Sequence, residues 1–174
     1  VGKKLSMVLW YQGMAPGRDF AEIQKWRAEN LNKDYNGYRY KMYGWLPKIS
    51  AKRIAEGEYD EYFEKYFTDS IDPAQLGGID DPIFFRPMNE FNSTWVEWGL
   101  DPYNYRKAWR RMYNIAEQIG AAQKHIFVWS VNHRSYPNED WNNMNNYYPG
   151  DNYVDWVGIS CYPPSLPIVG KEEL

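Results

Sequence analysis

An α/β fold with a parallel sheet covered by helices is what this sequence predicts, and three observations predict it. Short apolar runs of strand length alternate with longer runs whose apolar residues repeat at helical spacing. Polar and aromatic residues suited to a site recur at the C-terminal ends of those strands: Trp10 and Tyr11, Trp45, Asn89 and Glu90, Asn132 and His133, and Tyr162. No glycine-rich G-x-G-x-x-G turn follows a strand, so an open doubly wound sheet, which shares the alternation, lacks its usual signature. Closing the sheet into a barrel would bring those strand ends to one face, where enzymes of that architecture keep their active sites.

Taken in order, Leu5 to Tyr11 reads as a buried strand and Asp19 to Leu31 as a helix with Phe20, Ile23 and Trp26 on one face. Tyr38 to Tyr43 is the next strand, ending at Gly44 and Trp45. Tyr59 to Ser70 is a helix whose aromatic stripe of Tyr59, Tyr62, Phe63, Tyr66 and Phe67 reads as core packing. Pro82 to Pro87 is a third strand. Asp101-Pro102 opens a further helix, with Asp as N-cap and Pro at the first helical position, and it runs to about Gly120. Ile126 to Val131 and Val154 to Ser160 are two more strands, separated by a polar loop, Arg134 to Gly150, rich in Asn, Tyr and Pro. That makes five strands, whereas a full barrel has eight and takes ~250 residues.

At 174 residues, with 44% hydrophobic and 25% charged, the chain is one domain with room for a substantial core. Its aromatic share is high: 18%, with 9 Trp and 16 Tyr. Rings with polar tips suit clefts for sugars, whose apolar C–H faces stack on them. The net charge of −3 comes without a basic stripe, which argues against nucleic acid as a partner. Lys3-Lys4 and Arg110-Arg111 read as solvated pairs. The single Cys161 excludes an intrachain disulfide and reads as an inert core thiol. With two histidines, His125 and His133, a zinc site is not expected, and neither is any other metal or cofactor. No stretch is apolar and long enough to span a bilayer, and no signal-peptide pattern is present.

The most informative stretch is Pro82 to Gly99, PIFFRPMNEFNSTWVEWG. A buried strand leads into Arg86, Asn89, Glu90 and Asn92, followed by Trp95 and Trp98. A carboxylate at a strand end, beside an amide and an arginine and walled by indoles, suits acid catalysis on a sugar. The plainer alternative is a buried Glu90–Arg86 pair with both tryptophans in the core.

This stretch resembles the β-mannanase-type glycoside hydrolases of family 26, in the retaining clan built on a (β/α)8 TIM barrel. Their pattern Arg-Pro-x-His-Glu-x-Asn-Gly-x-Trp, followed shortly by Trp-Gly, is met by Arg86, Pro87, Asn89, Glu90, Asn92, Trp95, Trp98 and Gly99. Asn89 stands where the family usually has His, although Asn before the acid is commoner across the clan, and Ser93 stands where it has Gly. Ile54 to Tyr62, Trp45-Leu46-Pro47, Ile126 to Asn132 and Tyr148 to Tyr162 are similar to further family segments in the same order. The resemblance numbers the five strands as the second to sixth of the barrel and makes residues 1–174 a partial catalytic domain.

The resemblance further implies retaining hydrolysis of a β-linked polysaccharide, β-mannan first and β-glucan or β-xylan behind it, outside the cell or at its surface. Glu90 would be the acid/base and Asn89 would bond a hydroxyl of the bound sugar. Arg86 would orient the carboxylates, and Tyr162 would approach the nucleophile. Trp95 and Trp98 would stack sugars, with Trp129 lower in the wall. The family's nucleophile is a Glu at the end of a seventh strand. Neither Glu172 nor Glu173 lies in a strand pattern, and Asp155 reads as a structural acid, so none is assigned. Trp45, Glu90, Asn132 and Tyr162 are expected to line one cleft, and their placement on opposite sheet faces would rule out the barrel. Two other readings stay open: a carbohydrate-binding protein without catalysis, and a fragment that functions beside a complementary chain.

Overall fold

Five strands, β1 (Met7–Gly13), β2 (Tyr40–Leu46), β3 (Ile83–Pro87), β4 (His125–Asn132) and β5 (Trp156–Ser160), form one sheet whose spatial order is their sequence order. The computed structural model describes residues 7–13, 40–72 and 82–162; the helix expected over Asp19–Leu31 lies outside them. Every neighbouring pair is parallel, with Tyr11 opposite Gly44, Gly44 opposite Arg86, and Asn132 opposite Ser160. An order that never reverses has no topological switch point. It is the winding of a barrel, whereas a doubly wound sheet turns back on itself.

Side chains alternate across the strands and create two unlike faces. Tyr43 and Trp45 of β2, Ile83 and Phe85 of β3, and Phe127, Trp129 and Val131 of β4 belong to a core built against helices. Arg86, Val128, Ser130, Gly158 and Ser160 line the opposite, concave face together with Tyr11. The helical layer consists of α1 (Ala51–Ala55), α2 (Asp60–Ile71) and α3 (Pro102–Ile119). Phe63, Tyr66, Phe67 and Ser70 are the buried positions of α2, at the 3- and 4-residue steps of a one-sided helix. The ring of Tyr66 packs against both Tyr43 and Phe85, which also stack on each other, so the aromatic stripe is core packing.

α3 begins and ends where local chemistry directs. The Asp101 carboxylate accepts from the Asn104 amide at 3.1 Å, Pro102 occupies the first turn, and Gly120 closes the helix at φ 80°. α1 has no counterpart in the sequence reading, because five residues are too few to display a period. Arg110 and Arg111, expected to be solvated, tie elements together instead. Arg111 pairs with Asp60 of α2, and Arg110 donates to the Pro149 carbonyl at 2.7 Å. Cys161, expected in the core, is exposed just past β5. Asp155 is the structural acid expected: it precedes β5 and accepts from the Phe127 amide at 2.8 Å. Among the described residues no helix is long and apolar enough to cross a membrane.

The polar loop after β4 is tighter than its composition implies, with 3-10 turns at Asp140–Asn142, Met144–Tyr147 and Asp151–Tyr153. Tyr147 from this loop and Tyr105 of α3 are both wholly buried, and burial raises the pKa of each phenol. The unfolded chain ionises its tyrosines near pH 10 while these two keep their protons, so unfolding releases protons there. Stability should therefore be intact below about pH 10 and fall as pH rises toward the folded-state values. Chemical denaturation across alkaline pH checks this, and the Tyr105→Phe/Tyr147→Phe variant should show a shallower fall.

Candidate active site

The site begins with parity on β3. Phe85 faces the helices, so Arg86 points to the concave face, where it is buried. Its Nη1 donates to the Tyr11 hydroxyl of β1 at 2.5 Å, and its Nη2 donates to Ser160 Oγ of β5 at 2.8 Å. A single guanidinium thus joins the central strand to both outer strands. Among the described residues no carboxylate forms an ion pair with it. The cleft around it, about 350 Å³, is lined by Tyr11, Met42, Arg86, Ser130, Ser160 and Tyr162, among others.

β3 then gives way to a tight loop, 88–100. Met88 and Glu90 adopt φ of 49° and 58°, left-handed values that non-glycine residues seldom take. Such clustering is characteristic of functional sites, where the surroundings hold the backbone in place. Here the Met88 amide donates to the Trp45 carbonyl and the Glu90 amide to the Ser130 carbonyl, so neighbouring strands impose the turn. The half-buried Glu90 carboxylate accepts from Trp95 Nε1 at 2.8 Å. Gly99 closes the loop where no side chain fits: a Cβ would stand 2.7 Å from the carbonyls of both Phe91 and Ser93.

Asn92 fastens this loop to the end of β4. Its Oδ1 accepts from the Asn132 amide, and its Nδ2 reaches the carbonyls of Asn132 and Arg134 and the Ser135 hydroxyl. Its own carbonyl accepts from the Tyr136 amide and from Asn142 Nδ2. Ser93, at the position where Gly was expected, is wholly buried, and its Oγ accepts from Asn132 Nδ2 at 3.3 Å.

The expected site residues separate into three groups. Arg86 and Tyr162 share the concave cleft, with Tyr162 exposed. Asn89, Glu90 and Trp95 stand together beyond the end of β3, where Trp95 is 53% exposed and Asn89 Oδ1 is buried without a hydrogen-bond partner among the described residues. Asn132 is buried at the end of β4, engaged with Asn92 and Ser93. Three tryptophans are corrected. Trp45 is fully buried on the helix side against Tyr59, Tyr62 and Phe63. Trp98 is buried and donates to the Asn89 carbonyl, and Trp129 packs on Phe91 and Tyr148. None of them offers a face to a sugar.

The single cleft expected for Trp45, Glu90, Asn132 and Tyr162 therefore fails at Trp45, which lies one residue out of inward parity. That failure does not remove the barrel, because strand order carries it independently. Ser130 and Ser160 were missed, since only the inward register identifies them, and Tyr11, noted at its strand end, is joined to Arg86 by the same register. The Ser130 hydroxyl is buried and has no hydrogen-bond partner among the described residues. Tyr136 was missed as well; its ring packs against Trp95 at 5.4 Å between centroids.

A singly wound parallel sheet with a carboxylate and a buried arginine at its C-terminal edge defines a (β/α)-barrel with a polar, aromatic-rimmed site. The family model of glycosyl hydrolase family 26 matches residues 41–171, and the chain belongs to that family. It is 31% identical over 125 residues to mannan endo-1,4-beta-mannosidase A and B of Caldalkalibacillus mannanilyticus, covering 67% of this chain and 23% of that protein. It is 26% identical over 114 residues to beta-1,3-xylanase TXYA of a Vibrio species, covering 66% and 23%. The solved Bacillus subtilis mannanase BCman superposes with a TM-score of 0.60 at 22% identity, over 88% of this chain and 54% of that one. The fold is thus that of part of a TIM barrel, and the chain spans about a quarter of these curated relatives and half of that structure.

Removing the Asn92 amide would strand several buried backbone groups at once. Asn92→Ala should destabilise the chain by about 2–4 kcal/mol and expose the amides of residues 132–136 to exchange. Hydrogen exchange and denaturant titration check both parts.

Proposed function

We propose that this chain supplies the acid/base side of a retaining glycoside hydrolase site, and that residues 1–174 form part of one catalytic domain. The observation that carries the reading is Glu90. It stands at the C-terminal edge of the sheet, in a strained loop, with its carboxylate held by an exposed tryptophan. In a retaining cycle Glu90 protonates the glycosidic oxygen while a second carboxylate attacks the anomeric carbon. Glu90 then takes a proton from the water that releases the sugar. Asn89, whose buried oxygen has no partner among the described residues, suits a bond to a sugar hydroxyl.

No described carboxylate other than Glu90 sits at the C-terminal edge of a strand, and Asp155 is occupied at the opposite end of β5. The nucleophile would be a glutamate from outside the described residues. Arg86 supports this, because a buried cation without a carboxylate is costly and gains from one arriving beside it. The same observation favours a second form of the reading, in which a complementary chain provides that carboxylate. Substrate preference is β-1,4-mannan first, then β-xylan and β-glucan, in line with the names of the relatives. A polymeric substrate implies a place outside the cell or at its surface.

In the enzyme containing both carboxylates, Glu90→Ala should slow mannan hydrolysis by about 10²–10⁴-fold. Aryl glycosides with activated leaving groups should suffer far less, because their departure needs little protonation; equal losses on both would remove Glu90 from the role. A panel in which mannan is untouched and another β-glycan is cut would reverse the substrate order. Residues 1–174 alone should hydrolyse little or nothing. Robust activity from them would mean the nucleophile is misplaced, and Asp155, Glu172 and Glu173 would be tested in turn.

A further inference from the structure

Every polar side chain that lines the cleft on the concave face can donate a hydrogen bond, and none of them is a carboxylate, an amide or an imidazole. Arg86 is 7% exposed and pairs with no carboxylate among the described residues. Tyr11 and Ser160 use their oxygens to accept from it, so each keeps an O–H proton for a further acceptor. Ser130 adds another hydroxyl. It is 1% exposed, and its Oγ has no hydrogen-bond partner among the described residues. Opposite it on β5 stands Gly158, where a Cβ would come within 3.1 Å of that Oγ, so the missing side chain keeps the hydroxyl open. At about 350 Å³ the cleft lies in the range of ligand pockets.

Donors without acceptors, gathered around a buried cation, are the complement of an anion. A glutamate arriving as nucleophile would not exhaust them. Of the five N–H groups of a guanidinium, two are taken by Tyr11 and Ser160, and the hydroxyls of Tyr11, Ser130 and Ser160 come on top. One carboxylate accepts only ~four bonds. We propose that the cleft also binds a carboxylate carried by the substrate, which is therefore a β-linked glycan containing hexuronic acid units. Arg86 and Ser130 are the carboxylate's partners. The proposal rests on the glycosidase reading and adds the charge of the sugar that the site takes.

Isothermal titration of residues 1–174 with β-1,4-linked mannuronic acid oligosaccharides, and with β-1,4-mannose oligosaccharides of equal length, tests it, since the two series differ only at C6. The acidic series should bind about tenfold tighter. Arg86→Gln would also undo the clasp across three strands, so Ser130→Ala, which takes a partner from no described side chain, is the deciding variant. Its ratio of acidic to neutral affinity should fall about fivefold. Gly158→Ala, whose Cβ crowds the same hydroxyl, should lower that ratio as well. Acetate at the concentration of the oligosaccharide should not displace it. Displacement would mean a site for any carboxylate, a protein side chain included, and would overturn the substrate assignment. Equal affinity for the two series, or a preference that Ser130→Ala leaves intact, would overturn the proposal and leave the glycosidase reading standing. A parent chain that binds neither series would overturn both.

Discussion

Arg86 holds the concave face together. Adjacent strands lie about 4.8 Å apart, so β1 and β5 would each be roughly 10 Å from β3 in a flat sheet. One guanidinium can bond Ser160 on one side and Tyr11 on the other only if the sheet curls around it. The hydrogen bonds therefore report the barrel's curvature as much as they stabilise it. A cation is the right centre for such a clasp, since its planar fork presents donors in divergent directions. Its charge, unmatched by any described carboxylate, makes the curvature and the electrostatics of the cleft one problem with one residue at its centre.

The loop after β3 follows from a second constraint, the need to turn sharply at a fixed place. Left-handed backbone at Met88 and Glu90 costs energy that the Trp45 and Ser130 carbonyls offset by accepting those residues' amides. Farther along, Gly99 leaves the carbonyls of Phe91 and Ser93 room to approach, and Asn92 converts the loop into a bracket for the segment after β4. The carboxylate is thereby placed by backbone, and the aromatic rim is placed by the same bracket. Burial of Trp98 belongs to this design: its indole N–H satisfies the Asn89 carbonyl and so fixes the residue ahead of the acid.

Much of this was legible in the sequence wherever the determining chemistry is local. The five strands appear as apolar runs, and both ends of α3 follow from Asp101, Pro102 and Gly120. The acid motif's neighbourhood was readable because its residues are contiguous. What failed were properties set by the third dimension. Trp45 looks like a strand-end aromatic, yet one step of parity sends it to the helices. Trp95 and Trp98 lie three apart in a loop without a period, so nothing local reveals that one is exposed and the other buried. Tyr11 and Ser160 lie 75 and 74 residues from the arginine they bond, a pairing that only the closed sheet creates. Cys161 follows an apolar run but has already left the strand.

The bond between Trp95 and Glu90 makes the site optically self-reporting. An indole in contact with water emits to the red of one enclosed in a core, and Trp45, Trp98, Trp109 and Trp129 are all enclosed. The excited indole is also sensitive to the charge state of a group bonded to its nitrogen, and that group here is the acid itself. Trp141 and Trp156 are exposed too and share that red edge, so what carries the protonation state of Glu90, or the arrival of anything that covers the Trp95 ring, is the difference in emission between the parent and Trp95→Phe.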